Sequence, residues 1–218
     1  VYGEHYPFGE NNIFKMHLVS ISENKLFEKR VAITPDIAKK YLDLGLNLSI
    51  SKGYGNHLGF SDLEYKNLGV NLLDDEKKLI SDADIVVQLG LLDGEKLSYL
   101  KKSQTFIGSL NSFVNKDKLD NLKEKKINFF SLDLLPRITR AQSMDILSSQ
   151  ANLAGYKAVV EAFQVYEKAI PMMMTAAGTI PAAKVLVIGA GVAGLQAIAT
   201  AKRMGAVVFA TDVRSASK

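Results

Sequence analysis

Residues 183–214 read Ala-Lys-Val-Leu-Val-Ile-Gly-Ala-Gly-Val-Ala-Gly-Leu-Gln-Ala-Ile-Ala-Thr-Ala-Lys-Arg-Met-Gly-Ala-Val-Val-Phe-Ala-Thr-Asp-Val-Arg. The run Val185–Ile188 is a buried-strand pattern that enters Gly189-x-Gly191-x-x-Gly194. An Ala-rich segment with helical period follows, Gly205 stops it, and a second apolar run, Ala206–Ala210, leads to Asp212. Strand, glycine turn, helix, strand and distal acid make up the dinucleotide-binding βαβ unit. Gly189 serves the tight turn, and Gly191 lets the backbone approach a pyrophosphate. Gly194 lets the helix pack close to the strand. Val192 and Ala193, between the last two glycines, open a helix whose free N–H groups and positive end suit that pyrophosphate. Asp212 follows Gly194 by 18 residues (212 − 194), near the spacing of the carboxylate that grips a ribose diol. Its charge favours NAD over NADP, whereas Arg214 is a residue type that accommodates a 2′-phosphate.

Working outward, the preceding segments also alternate strand and helix signals. Strands are expected at Met16–Ile21, Leu46–Ile50, Val70–Leu73, Ile85–Leu89, Thr105–Ile107 and Ile127–Phe130. Helices are expected at Pro35–Leu44, from the capping box Ser61-x-x-Glu64 to Gly69, at Asp75–Ser81 and Lys116–Lys125, with a weak turn at Leu97–Lys102. A long Ala-, Leu- and Val-rich helix is expected from about Asp145 to Lys168, and Pro171–Pro181 reads as a loop. The fold class is therefore α/β, with two Rossmann-like doubly wound parallel-sheet domains joined by a long helix. The organisation expected is an irregular extension at 1–12, a first domain at 13–144, the connecting helix at 145–170, and the start of the nucleotide-binding domain at 171–218. A complete dinucleotide fold needs two mononucleotide halves. The second domain is thus expected to be incomplete in this chain, and the 218 residues alone are expected to hold the dinucleotide weakly.

Composition narrows the function classes. Apolar residues make up 47% and charged residues 23%, ordinary for a globular protein. The net charge of +4 comes from 22 lysines and 5 arginines spread along the chain, without the basic block that tracks phosphates, so nucleic-acid binding is not expected. With no cysteine there is no disulfide or thiolate metal site. His5, His17 and His57 stand in no metal-ligand spacing, and no metal site is expected. No apolar run reaches the ~20 residues of a membrane span.

Three stretches carry a family resemblance: Pro136–Tyr156, Met172–Gly178 and Gly189–Arg203. Together they resemble the NAD(H)-binding component of proton-translocating NAD(P) transhydrogenase, and Arg30-Val-Ala-Ile-Thr-Pro35 is similar to the wider group that includes alanine dehydrogenase. The resemblance implies hydride transfer between NAD(H) on this component and NADP(H) on a partner component, coupled to proton passage through a membrane component. It further implies a homodimer lying against a membrane, on the cytoplasmic or mitochondrial-matrix side. By the same resemblance, Arg137, Gln142 and Asp145 hold the nicotinamide, with Ile138, Thr139 and Ser148 alongside. Asp212, Val213 and Arg214 match the adenosine-ribose segment. The chemistry agrees with this assignment. Hydride passing between two nicotinamides requires orientation and exclusion of water rather than an acid/base pair. Gln142 can both donate to and accept from a carboxamide. Against that stands a plain structural reading, in which Arg137 and Asp145 pair at a helix start.

The alternative function is an alanine-dehydrogenase-like amino-acid dehydrogenase, which needs a Lys and a His for proton transfer. By ungapped matching, Gln88 and Ser109 occupy those places, and neither performs that chemistry at neutral pH. Arg30 is read as a substrate contact or a structural ion pair. Gly53–Gly59 is read as a plain turn, because no P-loop Lys-Ser/Thr follows it. Met172–Met174 is read as packing or as an adaptable binding surface.

Overall fold

The computed structural model describes residues 15–215, so the extension at 1–12 and His5 lie outside the described residues. The chain forms two compact units, divided between Leu134 and Leu135. In the first, a six-stranded sheet has the order β3-β2-β1-β4-β5-β6 and every pairing is parallel. The strands are β1 (His17–Ser20), β2 (Asn47–Ser51), β3 (Asn71–Leu73), β4 (Ile85–Val87), β5 (Thr105–Gly108) and β6 (Asn128–Ser131). The intervening helices are α1 (Pro35–Asp43), α2 (Asp62–Leu68), α3 (Glu76–Asp82), α4 (Gly94–Ser98) and α5 (Lys116–Lys123).

Strand alternation separates two cores. Leu18 faces Ile33, Ala38, Leu48, Ile50, Tyr54 and Tyr65, beneath α1 and α2. Its neighbour Val19 faces Leu79, Ile80, Phe106, Leu110 and Leu122, beneath α3 and α5. This is the doubly wound arrangement expected for this part of the chain, with the expected strands in place. α4 starts earlier than the weak turn read at Leu97–Lys102, because the Lys101 N–H turns to the Gln104 side chain (2.6 Å) instead of continuing a helix.

The second unit holds a parallel pair, β9 (Lys184–Ile188) and β10 (Val207–Thr211), joined by α7 (Val192–Arg203). The helix α6 (Ile146–Gln164), shorter than expected at its C-terminal end, belongs to this unit and packs on α7. Leu186 and Ile188 of β9 and Phe209 of β10 are exposed. The segment read as a loop contains an antiparallel hairpin, β7 (Met173–Thr175) and β8 (Gly178–Ile180). Its turn is held by Thr175, whose Oγ1 accepts from the Ala177 N–H (3.2 Å) and donates to the Gly178 carbonyl (3.1 Å). Methionine and alanine are weak strand formers and the turn lacks an Asn-Gly signal, so the sequence does not reveal it.

Candidate functional site

The glycine turn follows β9. Gly189 has φ +96, a conformation that strains any residue with a Cβ. A Cβ at Gly194 would lie 1.7 Å from the Gly189 carbonyl oxygen and 3.6 Å from Val187 Cγ1. The close approach read from sequence is thus mainly to the turn itself and secondarily to the strand. Gly191 differs from both. Its φ of −76 is ordinary, and a Cβ there would meet nothing within 4 Å. Neither backbone strain nor the protein's own packing demands a glycine at 191, and the space in front of it is open. The first intrahelical bond of α7 runs from the Leu195 N–H to the Gly191 carbonyl (2.8 Å), so the N–H groups of Val192, Ala193 and Gly194 precede it. An open glycine backed by these N–H groups fits a phosphate.

Asp212, just past β10, is tied to this turn. Its Oδ2 accepts from the Ala190 N–H (2.6 Å), and its Oδ1 accepts from the Arg214 N–H (2.8 Å). The Arg214 guanidinium adds Nε to Oδ1 (2.9 Å) and Nη2 to Oδ2 (3.0 Å). That fork and the two backbone N–H groups hold the carboxyl well below the usual carboxylate range. Val213 is fully exposed beside them.

A second cluster lies at the other end of α6. Residues Thr139–Met144 form a 3-10 turn, whose three-residue period sets Gln142 and Asp145 on one side. Gln142, Asp145 and Ser148 line a crevice of about 630 Å³ together with Asn152, Leu153 and Val192 of α7. The structure thereby brings three of the sequence-read residues against the first turn of the fingerprint helix. Asp145 also caps α6. Its Oδ1 accepts from the Ser148 N–H (2.9 Å) and its Oδ2 from Ser148 Oγ (2.6 Å). Arg137 Nε stands 4.0 Å from Asp145 Oδ2, a loose ion pair, with its side chain 68% exposed. Ile138, also exposed, and Thr139 precede and open the 3-10 turn.

The Ser148 hydrogen bonds, and then Arg137, hold the Asp145 carboxyl below its ordinary value. A lowered carboxyl contributes stability above its unfolded value, near pH 4, and loses it as pH falls through the folded value. Asp145→Asn keeps the cap but not the charge. Its acid unfolding curve should therefore be shallower below pH 4 than that of the parent. Identical curves, followed by circular dichroism, would remove the charge of Asp145 from the acid response.

Two features of this unit escape the sequence reading. The Asn152 side chain donates to Gln196 Oε1 (3.1 Å), joining α6 to α7. Gly155, inside α6, faces the α7 backbone, where a Cβ would stand 2.1 Å from the Ala193 carbonyl oxygen. A lone glycine within a helical pattern was the available signal.

The first unit has its own crevice, of about 280 Å³, at the carboxyl ends of β1 and β4 where the strand order reverses. Gln88 at its base is 3% exposed. Its Oε1 accepts from Ser20 Oγ and the Ile21 N–H (2.8 Å each), and its Nε2 donates to Glu23 (3.2 Å). Burial raises the Glu23 carboxyl. Gln88 is a structural tie here, with its amide committed on both sides. Ser109 follows β5, its N–H bonded to the Leu89 carbonyl (3.0 Å). Arg30 pairs with Glu28, Nε to Oε1 at 2.8 Å. In the Gly53–Gly59 turn the Gly53 N–H is taken by the Asp62 carboxylate (2.9 Å), which opposes a phosphate.

With this geometry in hand, comparison with known proteins is informative. Residues 20–154 match the alanine dehydrogenase/PNT N-terminal domain and residues 158–218 the corresponding C-terminal domain. The chain is 44% identical over 207 residues to an NAD(P) transhydrogenase subunit alpha of Rickettsia prowazekii, covering 93% of this chain and 54% of that protein. It is 26% identical over 201 residues to an alanine dehydrogenase of Halomonas elongata, covering 90% and 53%. The crystal structure of a transhydrogenase from Sinorhizobium meliloti superposes with a TM-score of 0.86 at 43% identity, covering 92% of this chain and 58% of that one. The chain spans about half the length of the curated relatives it matches most strongly.

Proposed function

Because the chain belongs to the alanine dehydrogenase/PNT family, we propose that it is part of the NAD(H)-binding component of an NAD(P) transhydrogenase. In this reading it passes hydride between NAD(H) held here and NADP(H) on a partner component, and the transfer is coupled to proton translocation. The observation that carries the proposal is the open space at Gly191, which sits ahead of the α7 N-terminus while Gln142, Asp145 and Ser148 line a crevice at the same turn of α7. Transhydrogenase relatives share far more identity with this chain than alanine dehydrogenases do. The committed amide of Gln88 supports the same choice, because an amide so held is no proton-transfer group.

The residues divide by task. The Val192–Gly194 N–H groups receive the pyrophosphate and Asp212 the adenosine ribose. Gln142 meets the nicotinamide carboxamide, while Arg137 and Asp145 shape the loop around it. The nicotinamide supplies the hydride chemistry when bound. The chain's role is to orient the ring and exclude water, which needs no general acid or base. The partners in this reading are the NADP-binding and membrane-spanning proton-channel components, together with a second copy of the chain. The exposed methionines of the β7–β8 hairpin offer an adaptable surface for such contacts. Among the described residues no helix is long and apolar enough to cross a membrane. In this reading the chain lies at the membrane surface, on the cytoplasmic or matrix side.

Titrating the full-length protein with NADH and NADPH tests the cofactor choice, and NADH is expected to bind more tightly. Asp212→Ala should weaken NADH about 10- to 100-fold, the range for losing hydrogen bonds to a charged group. The isosteric Asp212→Asn should weaken it less. Equal affinity for both nucleotides in the parent, or no loss in Asp212→Ala, would remove Asp212 from the ribose site.

A further inference from the structure

An ionised carboxylate offers roughly four lone-pair positions. On Asp212 four donors fill them: the N–H groups of Ala190 and Arg214, and Nε and Nη2 of the Arg214 guanidinium. The Asp212 side chain is consequently only 6% exposed, although the arginine that covers it is 59% exposed. The two backbone donors take one position on each oxygen, and the guanidinium fork takes the other position on each. A vicinal ribose diol, which presents two adjacent O–H donors, requires just those remaining positions.

We propose that Arg214 is a specificity-determining residue whose guanidinium stands in for the ribose diol on Asp212 and is exchanged for it when a nucleotide binds. This inference rests on the dinucleotide reading of the site and goes beyond it. The exchange has two consequences. Each diol hydrogen bond to Asp212 replaces an arginine hydrogen bond already made, so the ribose hydroxyls contribute little net affinity. The displaced guanidinium remains two residues away, a charge that offsets the repulsion between Asp212 and a 2′-phosphate. Arg214 thus lowers the preference for NADH over NADPH from both sides. Cutting back its side chain leaves the backbone N–H on Oδ1 and opens one position on each oxygen to the diol.

The test is a set of equilibrium titrations of the full-length protein and of Arg214→Ala and Arg214→Lys. The ligands are NADH, NADPH, ADP and 2′-deoxy-ADP. Arg214→Ala is expected to bind NADH and ADP about threefold to tenfold more tightly, the worth of an ordinary net hydrogen bond. It should also bind NADPH more weakly, so that the NADH-to-NADPH ratio rises about tenfold or more. Its preference for ADP over 2′-deoxy-ADP should grow, whereas a merely structural arginine would leave that preference unmoved. Lysine keeps the charge but lacks the fork, so Arg214→Lys should recover NADPH binding. If Arg214→Ala weakens all four ligands alike, or changes none, the exchange does not occur and Arg214 supports the loop or the adenine instead. If Arg214→Ala fails to fold, Arg214→Lys decides, and an ADP preference no greater than the parent's overturns the proposal. Binding of NADH with no preference for ADP over 2′-deoxy-ADP in either variant rejects the exchange while leaving the dinucleotide site intact. Failure of the parent to bind any of the four ligands rejects the site reading itself.

Discussion

Gly155→Ala should loosen the second unit by about 2 kcal/mol net and lower its urea midpoint accordingly. A Cβ at 155 would stand 2.1 Å from the Ala193 carbonyl oxygen and 2.8 Å from the Ala193 carbonyl carbon. Both are backbone atoms, so no side-chain rotation relieves the contact, and α6 and α7 must move apart. Overpacking of this kind costs about 1–3 kcal/mol and at times more. Alanine recovers about 1 kcal/mol through its higher helix propensity than glycine. We place the steric cost at the upper end, about 3 kcal/mol, because helix backbone meets helix backbone. The substitution also displaces the first turn of α7, where the Val192–Gly194 N–H groups lie ahead of the first intrahelical bond, so nucleotide affinity should fall with stability. A variant that unfolds at the parent's urea concentration would show that the two helices are not in close contact at Gly155.

Gln142→Asn should slow hydride transfer about 100-fold while leaving NADH affinity nearly unchanged. The substitution retains the amide and shortens its reach by one methylene. A misplacement on the order of 1 Å can cost about that factor in rate, since the catalytic task is orientation alone. Gln142 lines the crevice beside Val192, whereas affinity is assigned to the glycine turn and Asp212. Asp212→Ala should show the opposite pattern, with binding weakened and the transfer step spared at saturation. The measurement pairs an NADH dissociation constant with single-turnover transfer to an NADP analogue in the presence of the NADP-binding partner. Transfer by Gln142→Asn at the parent rate would return residues 137–145 to the plainer role of starting α6, in which Asp145 caps the helix and Arg137 pairs loosely with it.

Much of this was legible from residue order, because the interactions concerned are local. The run Val185–Gly194 followed by Asp212 specifies a strand, a turn and a helix through chain neighbours alone, and the positive φ at Gly189 is the kind of constraint that glycine announces. The strands of the first unit are short apolar runs between turn residues, so their positions followed from pattern. The Ser61 cap of α2 did too, with Ser61 Oγ accepting from the Glu64 N–H at 3.2 Å. Sequence also separated the two candidate functions at Gln88, since no environment makes an amide a general base at neutral pH. Tertiary structure alone decided which groups meet across long separations. Gln88 meets Ser20, 68 positions away, and Asn152 meets Gln196, 44 positions away. Gly155 meets Ala193 because two helix faces happen to oppose, which helical period by itself does not specify. The hairpin of Met173–Ile180 depends on a threonine-held turn that outweighs the weak strand preference of its residues. The filling of Asp212 by Arg214 is the clearest case. The sequence sets an acid and an arginine two positions apart, but only the fold beyond β10 turns the guanidinium back onto the carboxylate and brings the Ala190 N–H to its other side.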